Sequence, residues 1–233
     1  MRGCGMDMDR ELMLDMAFPS IELELVLVRH GQTQWNAEHR YLGHTDLPLL
    51  SSAVEQLSQI KQQSEVSNDF WCVFCSDLLR CRETLAYISP SLEKVAVYDP
   101  RLREMNFGAF EGCTYEELKD NSLYRSWIDN PSTVTPPDGE TWAQFDERLR
   151  SFLSDLGRAA EDTFVQAAIS EKKAEAITNR VLVVTHGGVI RNFLAQLIPG
   201  VTFYSAVAPS PGTAMVLRLF WQNGQWSADI SGH

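Results

Sequence analysis

Long apolar runs are missing from this chain: nothing in its 233 residues approaches the ~18 apolar residues of a membrane-spanning helix. Positive charge is scarce as well, with 20 Lys and Arg against 31 Asp and Glu and a net charge of -11. That balance opposes the phosphate attraction behind nucleic-acid binding, so neither a membrane nor a nucleic acid is an expected partner. Cysteine is sparse, five in all, and an odd number in a chain this long does not make a disulfide scaffold. A reducing cytoplasm fits best. There is also no second cysteine pair to complete a metal knuckle. Cys72 and Cys75 have knuckle spacing, but strand alternation within 71–75 points them to opposite faces, as core cysteines. A secretory leader is not recognisable either, because Asp15 interrupts the apolar stretch from Leu12 to Phe18. Residues 1–20 therefore read as an N-terminal extension, either a docked short helix or a frayed arm.

What remains is ordinary globular material, 44% hydrophobic and 22% charged, long enough for one domain over residues 21–233. Leu23 to Val28 reads as a strand buried on both faces, with Arg29 and His30 at its carboxyl end. A second strand, Trp71 to Cys75, ends in Ser76 and Asp77 and leads into a helix carrying Leu78, Leu79, Leu85 and Ile88. Val95 to Tyr98 is a short strand stopped by Pro100. Residues 105–140, broken by Pro131, Pro136, Pro137 and Gly139, read as an irregular insertion of the kind that forms a wall or lid. Thr141 and Gln144 make a capping box for a helix that buries Phe145, Leu149, Phe152, Leu153 and Leu156 and runs toward Ala160. The charged segment 161–179 reads as a solvated extension or loop. Arg180 to Thr185 is the strongest strand. It ends at His186 and precedes a helix with Val189, Ile190, Phe193, Leu194 and Leu197 on one stripe. Two last strands, Ala214 to Trp221 and Gln225 to Ile230, flank Asn223-Gly224 as a hairpin. Strands alternating with helices predict a three-layer α/β/α domain with a mainly parallel sheet, whose ligands bind beyond the carboxyl ends of the strands.

Three of those ends are polar: Arg29-His30-Gly31, Ser76-Asp77 followed by Arg80 and Arg82, and Thr185-His186-Gly187-Gly188. If the strands are neighbours, two histidines and at least two arginines meet in one cationic spot of an acidic protein. Such a spot suits a phosphoryl group, whose charge is spread over oxygens that guanidinium groups grip in pairs. The glycines would let backbone N–H groups approach, and the helix after His186 turns its positive end toward the anion. Taken singly, each residue has a plainer explanation. A histidine at a strand end is more often structural, Arg82 alone is a surface ion-pair partner, and His39 and His44 have no converging company.

In combination, the residues resemble a known family. Val26 to Asn36, Ser76 to Thr84, Leu102 to Gly112 and Val183 to Gly188 follow in order and are similar to the motifs of the histidine phosphatase superfamily, also called phosphoglycerate-mutase-like. The resemblance spans residues 23 to about 220. It implies a nucleophile at His30, with Arg29, Arg82 and His186 around the transferred phosphoryl group and Glu104 as proton donor. Asn36 and the backbone of Gly187 would add phosphate contacts, and Gly43 a substrate contact. In this matching Arg80 falls off the position of the catalytic arginine, and Glu83 and Glu111 are second choices to Glu104.

Those roles imply a phosphomonoesterase that needs neither metal nor cofactor. His30 attacks as a neutral imidazole whose other nitrogen donates to an oxygen. The arginines and a protonated His186 steady the equatorial oxygens. Glu104 must hold a proton when the ester oxygen leaves, and then serves as base for the water that hydrolyses the phosphohistidine. A mutase needs further cations for its substrate's second anionic group. The family's lysine eleven residues after the glutamate is here Tyr115, no Arg-Arg pair occurs between 105 and 150, and Leu42 stands where mutases carry threonine. Hydrolysis is therefore expected over mutase chemistry. Tyr41 to Leu49 and Pro137 to Thr141 are closer to α-ribazole phosphatases and broad-specificity phosphatases. The first of these groups acts on α-ribazole 5'-phosphate in cobalamin biosynthesis. A silent phospholigand-binding module would be expected to have lost His30 or Glu104, and both are present.

Overall fold

The protein is described from a computed structural model covering residues 20–61, 66, 69–169 and 179–230, without the side chains of 59, 164–169 and 230. The N-terminal extension up to residue 19 and the charged segment 170–178 lie outside the described residues.

Among the described residues six strands form one sheet: β1 (Ile21–Arg29), β2 (Cys72–Cys75), β3 (Val97–Tyr98), β4 (Arg180–Thr185), β5 (Ala214–Gln222) and β6 (Gln225–Ile230), in the order β3-β2-β4-β1-β5-β6. The β3-β2, β2-β4 and β4-β1 pairs are parallel, and β5 and β6 add two antiparallel pairings at one edge. The central strands are apolar on both faces because helices cover both. The larger helices are α1 (Ala53–Lys61), α2 (Leu79–Ile88), α3 (Ser122–Asp129), α4 (Trp142–Ile169) and α5 (Gly187–Leu197).

Strand alternation sorts the core. Leu23, Leu25 and Leu27 of β1 pack with Val181 and Val183 of β4 under α4 and α5. Val26, Val28, Val73, Leu182 and Val184 face α1 and α2 on the other side. The cysteines of β2 divide in the same way, Cys72 against the first cluster and Cys75 inside the second. The expected three-layer α/β/α sandwich is therefore present. Truncating a fully buried residue such as Leu25 to Ala would cost about 2–5 kcal/mol.

Helix α4 opens at the expected capping box: Thr141 Oγ1 accepts from Gln144 N at 3.1 Å, and Gln144 Oε1 accepts from Thr141 N at 2.9 Å. It runs past Ala160 to Ile169. The hairpin turns at Asn223 and Gly224, both with positive φ (53° and 76°). Helix α1 has no counterpart among the expected elements, since Ala53, Leu57 and Ile60 alone carry its buried stripe within a polar segment.

Residues 105–140 are mostly short turns around a small core of their own. Phe110, Leu118, Tyr124 and Trp127 are buried together, with Tyr41 and Phe107 packed against them. The Tyr41 and Tyr124 hydroxyls meet at 2.7 Å, which ties this excursion to the loop after β1.

Candidate active site

The register brings the polar strand ends together. Strand β4 lies between β1 and β2, with Arg29 opposite Thr185 and Cys75 opposite Val184. The first residues past the ends continue the ladder, His30 N to Thr185 O at 2.9 Å and Ser76 N to Val184 O at 2.9 Å. His30 and His186 are both buried, and their rings stand edge to face with centroids 5.1 Å apart.

His30 Nδ1 lies 2.7 Å from the carbonyl oxygen of Gly31. A carbonyl only accepts, so Nδ1 carries the proton and Nε2 is left with its lone pair. Burial, with Arg80 and Arg29 nearby, holds the ring well below the ordinary imidazole pKa, so it is neutral. Gly31 is itself fixed from behind, its N–H donating to Thr84 Oγ1 at 2.9 Å.

The arginine of this cluster is Arg80, and the expectation of Arg82 is corrected. Arg80 is fully buried. Its Nε donates to His186 Nδ1 (3.2 Å), its Nη1 to Thr45 O (3.0 Å) and its Nη2 to Gly43 O (2.7 Å). Arg82 is exposed and lies over the Tyr98 ring, 5.4 Å from its centroid. Helix geometry separates them. Arg80 shares the buried face of α2 with Thr84 and Ile88 at intervals of four residues, whereas a step of two turns Arg82 about 200° toward solvent.

His186 is corrected too. It accepts from Arg80 at Nδ1, and its Nε2 faces Ser76 Oγ at 2.9 Å, with Cys81 Sγ 3.5 Å away. With a donor already at Nδ1, the ring is a neutral Nε2–H tautomer. Burial, followed by the charge of Arg80 and by His30, keeps its pKa well below the ordinary value. The expected protonated imidazole is not the form this network holds.

Arg29 donates to Pro209 O at 3.1 Å, while its buried Nε has no partner among the described residues. Burial lowers its pKa, and Glu104 works in the opposite direction. Gly187 opens α5 against this guanidinium, where an added Cβ would sit 3.1 Å from Cζ. Glu104 is held by backbone donors, Oε1 from Met105 N (3.0 Å) and Oε2 from Gly188 N (2.8 Å). A Cβ at 188 would collide with Oε1, so glycine is what lets the helix start reach the carboxylate. Asn36 spends its Oδ1 on the Thr33 cap, accepting from N at 3.1 Å and Oγ1 at 2.9 Å. Its amide nitrogen is what remains for the cavity it lines beside Arg29.

Gly43 does not reach that cavity. It is buried under Met105 O and Glu111 Oε1, both of which would collide with a Cβ, and its carbonyl anchors Arg80. Glu111 is the clasp behind this loop. Its Oε1 accepts from His44 N (2.8 Å) and Phe107 N (3.1 Å), and its Oε2 from Thr45 N (2.7 Å) and Thr45 Oγ1 (2.5 Å). Glu83 accepts from Leu49 N at 2.7 Å. Both second-choice acids are thus occupied in holding loops. His39 is exposed, and His44 has a buried Nε2 with no partner among the described residues.

Two hollows meet at Arg29 and Tyr41. One, of about 350 Å³, contains Glu104, Gly187 and Gly188 at one end, with aromatic walls that include Phe107, Trp127, Trp142 and Phe203. The other, of about 480 Å³, is lined by Gln32, Asn36, Arg40 and Tyr115.

The family model described as "Histidine phosphatase superfamily (branch 1)" matches residues 25–231. The chain is similar to phosphoglycerate mutase-like protein 4 of Arabidopsis thaliana, 29% identical over 213 residues that cover 90% of this chain and 84% of that protein. Its fold is similar to that of the alpha-ribazole phosphatase from Shigella flexneri, with a TM-score of 0.70, 25% identity and coverage of 89% and 95%. It is also similar to the protein TTHB049 from Thermus thermophilus, with a TM-score of 0.60, 32% identity and coverage of 84% and 93%.

Proposed function

Since the chain belongs to the histidine phosphatase superfamily (branch 1), we propose that it is a metal-independent phosphomonoesterase working through a phosphohistidine on His30. The observation that carries this reading is the His30 ring, neutral and pinned through Nδ1 to Gly31 O, with Nε2 left for a ligand beside Arg29 and Arg80. Glu104 is the carboxylate whose charge both arginines feel. Nε2 attacks phosphorus in line, and the bond to the ester oxygen breaks as Glu104 gives that oxygen a proton. Water then attacks the phosphorus and the P–N bond breaks, Glu104 takes a proton from that water, and inorganic phosphate leaves with His30 restored. Arg29, Arg80 and the amide of Asn36 meet the equatorial oxygens. Ser76 and His186 act through Arg80, holding its Nε so that the guanidinium is aimed before substrate arrives.

The substrate reading is a small phosphorylated metabolite, with α-ribazole 5'-phosphate the first candidate. An aromatic-walled hollow beside Glu104 suits a heteroaromatic leaving group, and a structural relative carries the name of that phosphatase. A second reading, phosphoglycerate mutase, is favoured by the name of the Arabidopsis relative. Against it, Tyr115 brings no cation to the second hollow and Leu42 is buried away from it.

The test is a panel of phosphomonoesters, including α-ribazole 5'-phosphate and 3-phosphoglycerate, with and without chelator. Phosphate release and an acid-labile phosphoenzyme are expected, both lost in His30→Ala by roughly 10⁴-fold or more, the scale on which a nucleophile is worth its rate. Absence of turnover and of phosphoenzyme would end the proposal, and efficient isomerisation of 3-phosphoglycerate would establish the mutase instead.

A further inference from the structure

Among the described residues, the arginines of this acidic chain are nearly all engaged. Arg40, Arg101, Arg103, Arg125, Arg148 and Arg150 sit in ion pairs, as do Arg158, Arg180 and Arg218. Arg29 and Arg80 donate to carbonyls, and Arg82 covers Tyr98. Arg191 is the exception. Among the described residues it makes no ion pair, hydrogen bond or ring contact, although it lines the aromatic hollow beside Glu104. In a chain with 31 carboxylates, an unpaired guanidinium at the mouth of a pocket is out of keeping with the rest.

Its position is set by α5. Gly187 begins that helix against Arg29, and Arg191 follows four residues later, one turn on and about 6 Å further along the axis. A step of that size is about the distance between the two substituent atoms of a para-substituted benzene ring. The hollow that both positions line has aromatic walls, with Trp142 and Phe203 in edge-to-face contact at 4.9 Å and Phe107 and Trp127 at 5.9 Å. Arg191 is also near enough to Arg29 to depress it, so two cations face the same hollow with Glu104 the acidic group beside them. A ligand that places one anion at Arg29 and a second acceptor at Arg191 relieves that repulsion.

We infer that Arg191 is a specificity-determining residue that donates to an acceptor, a carboxylate or heteroaromatic nitrogen, at the end of an aromatic leaving group remote from the phosphoryl group. This deepens the phosphomonoesterase reading by specifying the leaving group: flat, apolar at its faces and hydrogen-bond accepting at its far edge. It also offers an alternative to the cations that mutases place elsewhere, since this charge comes from α5 rather than from residues 105–150.

The test uses two analogues that do not turn over, so that it stands apart from catalysis. Phenylphosphonate and 4-phosphonobenzoate differ only in the distal carboxylate, and their dissociation constants are measured by calorimetry on the full chain. Unsubstituted protein should bind 4-phosphonobenzoate about tenfold more tightly, which corresponds to about 1.4 kcal/mol. In Arg191→Gln the ratio should fall to about one, and Arg191→Lys should keep part of it. Equal affinities in the unsubstituted protein, or a ratio untouched by Arg191→Gln, would overturn the assignment. Phosphate release from phenyl phosphate is followed in parallel. Its absence there and across the ester panel, with the binding ratio intact, would overturn the phosphatase and leave Arg191 as a reader of aromatic dianions.

Discussion

The site is made of two regions built on opposite principles. The strand-end region (His30, Ser76, Arg80 and His186) is buried, polar and almost fully satisfied, each group fixed by a neighbour that sheet register or helix phase delivers. The leaving-group hollow has mainly apolar, aromatic walls from 105–145 and 199–208, with Arg29, Glu104 and Arg191 among its lining, and is rimmed by exposed side chains such as Tyr204 and Ile128. Preorganised dipoles act on charge that develops during reaction, whereas apolar walls act on whatever is bound. Changes in the first region should therefore appear in kcat and changes in the second in KM.

The sharpest way to break this contrast is the arginine pair on α2. Arg80→Gln should lower kcat for phenyl phosphate by about 10²–10³-fold, the usual loss for one preorganised donor, with KM changing far less. Arg82→Gln removes only a surface contact with Tyr98, so its kcat should stay within about threefold. Steady-state kinetics on both variants decide the matter. If Arg82→Gln were the damaging change, the assignment of the buried arginine would be wrong.

The same pair explains what was legible in the sequence. Strand β4, the Thr141 capping box and the Asn223-Gly224 hairpin can be read because local periodicity and turn chemistry specify them. His30, Glu104 and His186 are legible as residues at strand ends and in ordered motifs. Arg80 is within reach: counting fours along α2 from Ile88 and Thr84 leads to it, whereas matching motif positions leads to Arg82. Gly43, Thr45 and Glu111 are not within reach. Their contribution is two backbone carbonyls turned toward Arg80 and a carboxylate that collects four donors from two loops, and the contacts of Thr45 with Arg80 and of His44 with Glu111 span 35 and 67 residues. No spacing rule encodes such pairings, so Gly43 reads as a substrate contact and Glu111 as an alternative acid.

A smaller effect belongs to the wall. Phe203 packs edge to face on Trp142 and is half-buried at the rim of the hollow. Phe203→Ala removes apolar area that an aromatic leaving group would cover, which at ~25 cal/mol per Å² is worth about 1–2 kcal/mol. The expected outcome is a KM for phenyl phosphate raised about tenfold at nearly constant kcat. Measured against an alkyl phosphate, the rise should be smaller. Equal losses for both esters would mean that the wall shapes the fold rather than the substrate.

The least drastic difference between the regions lies in stability against pH. Burial, reinforced by Arg80, keeps His30 and His186 neutral in the folded chain, and half-buried His44 is shifted the same way. Unfolded, each imidazole has a pKa near ~6.5. Below that value the unfolded state binds protons that the folded state refuses, so stability rises with pH across this window and is lost as pH falls through it. Each imidazole held neutral contributes a slope of up to about 1.4 kcal/mol per pH unit. Urea midpoints at pH 7.5, 6 and 5 should therefore fall steadily for the unsubstituted chain and less steeply for His186→Asn, which removes one of the neutral rings. Phe203→Ala changes no titrating group and should keep the parent slope whatever its midpoint. A parent slope retained in both His186→Asn and His30→Asn would mean that the acid sensitivity arises outside the strand ends, and the division between a proton-sensitive strand-end region and an aromatic-walled hollow would not hold.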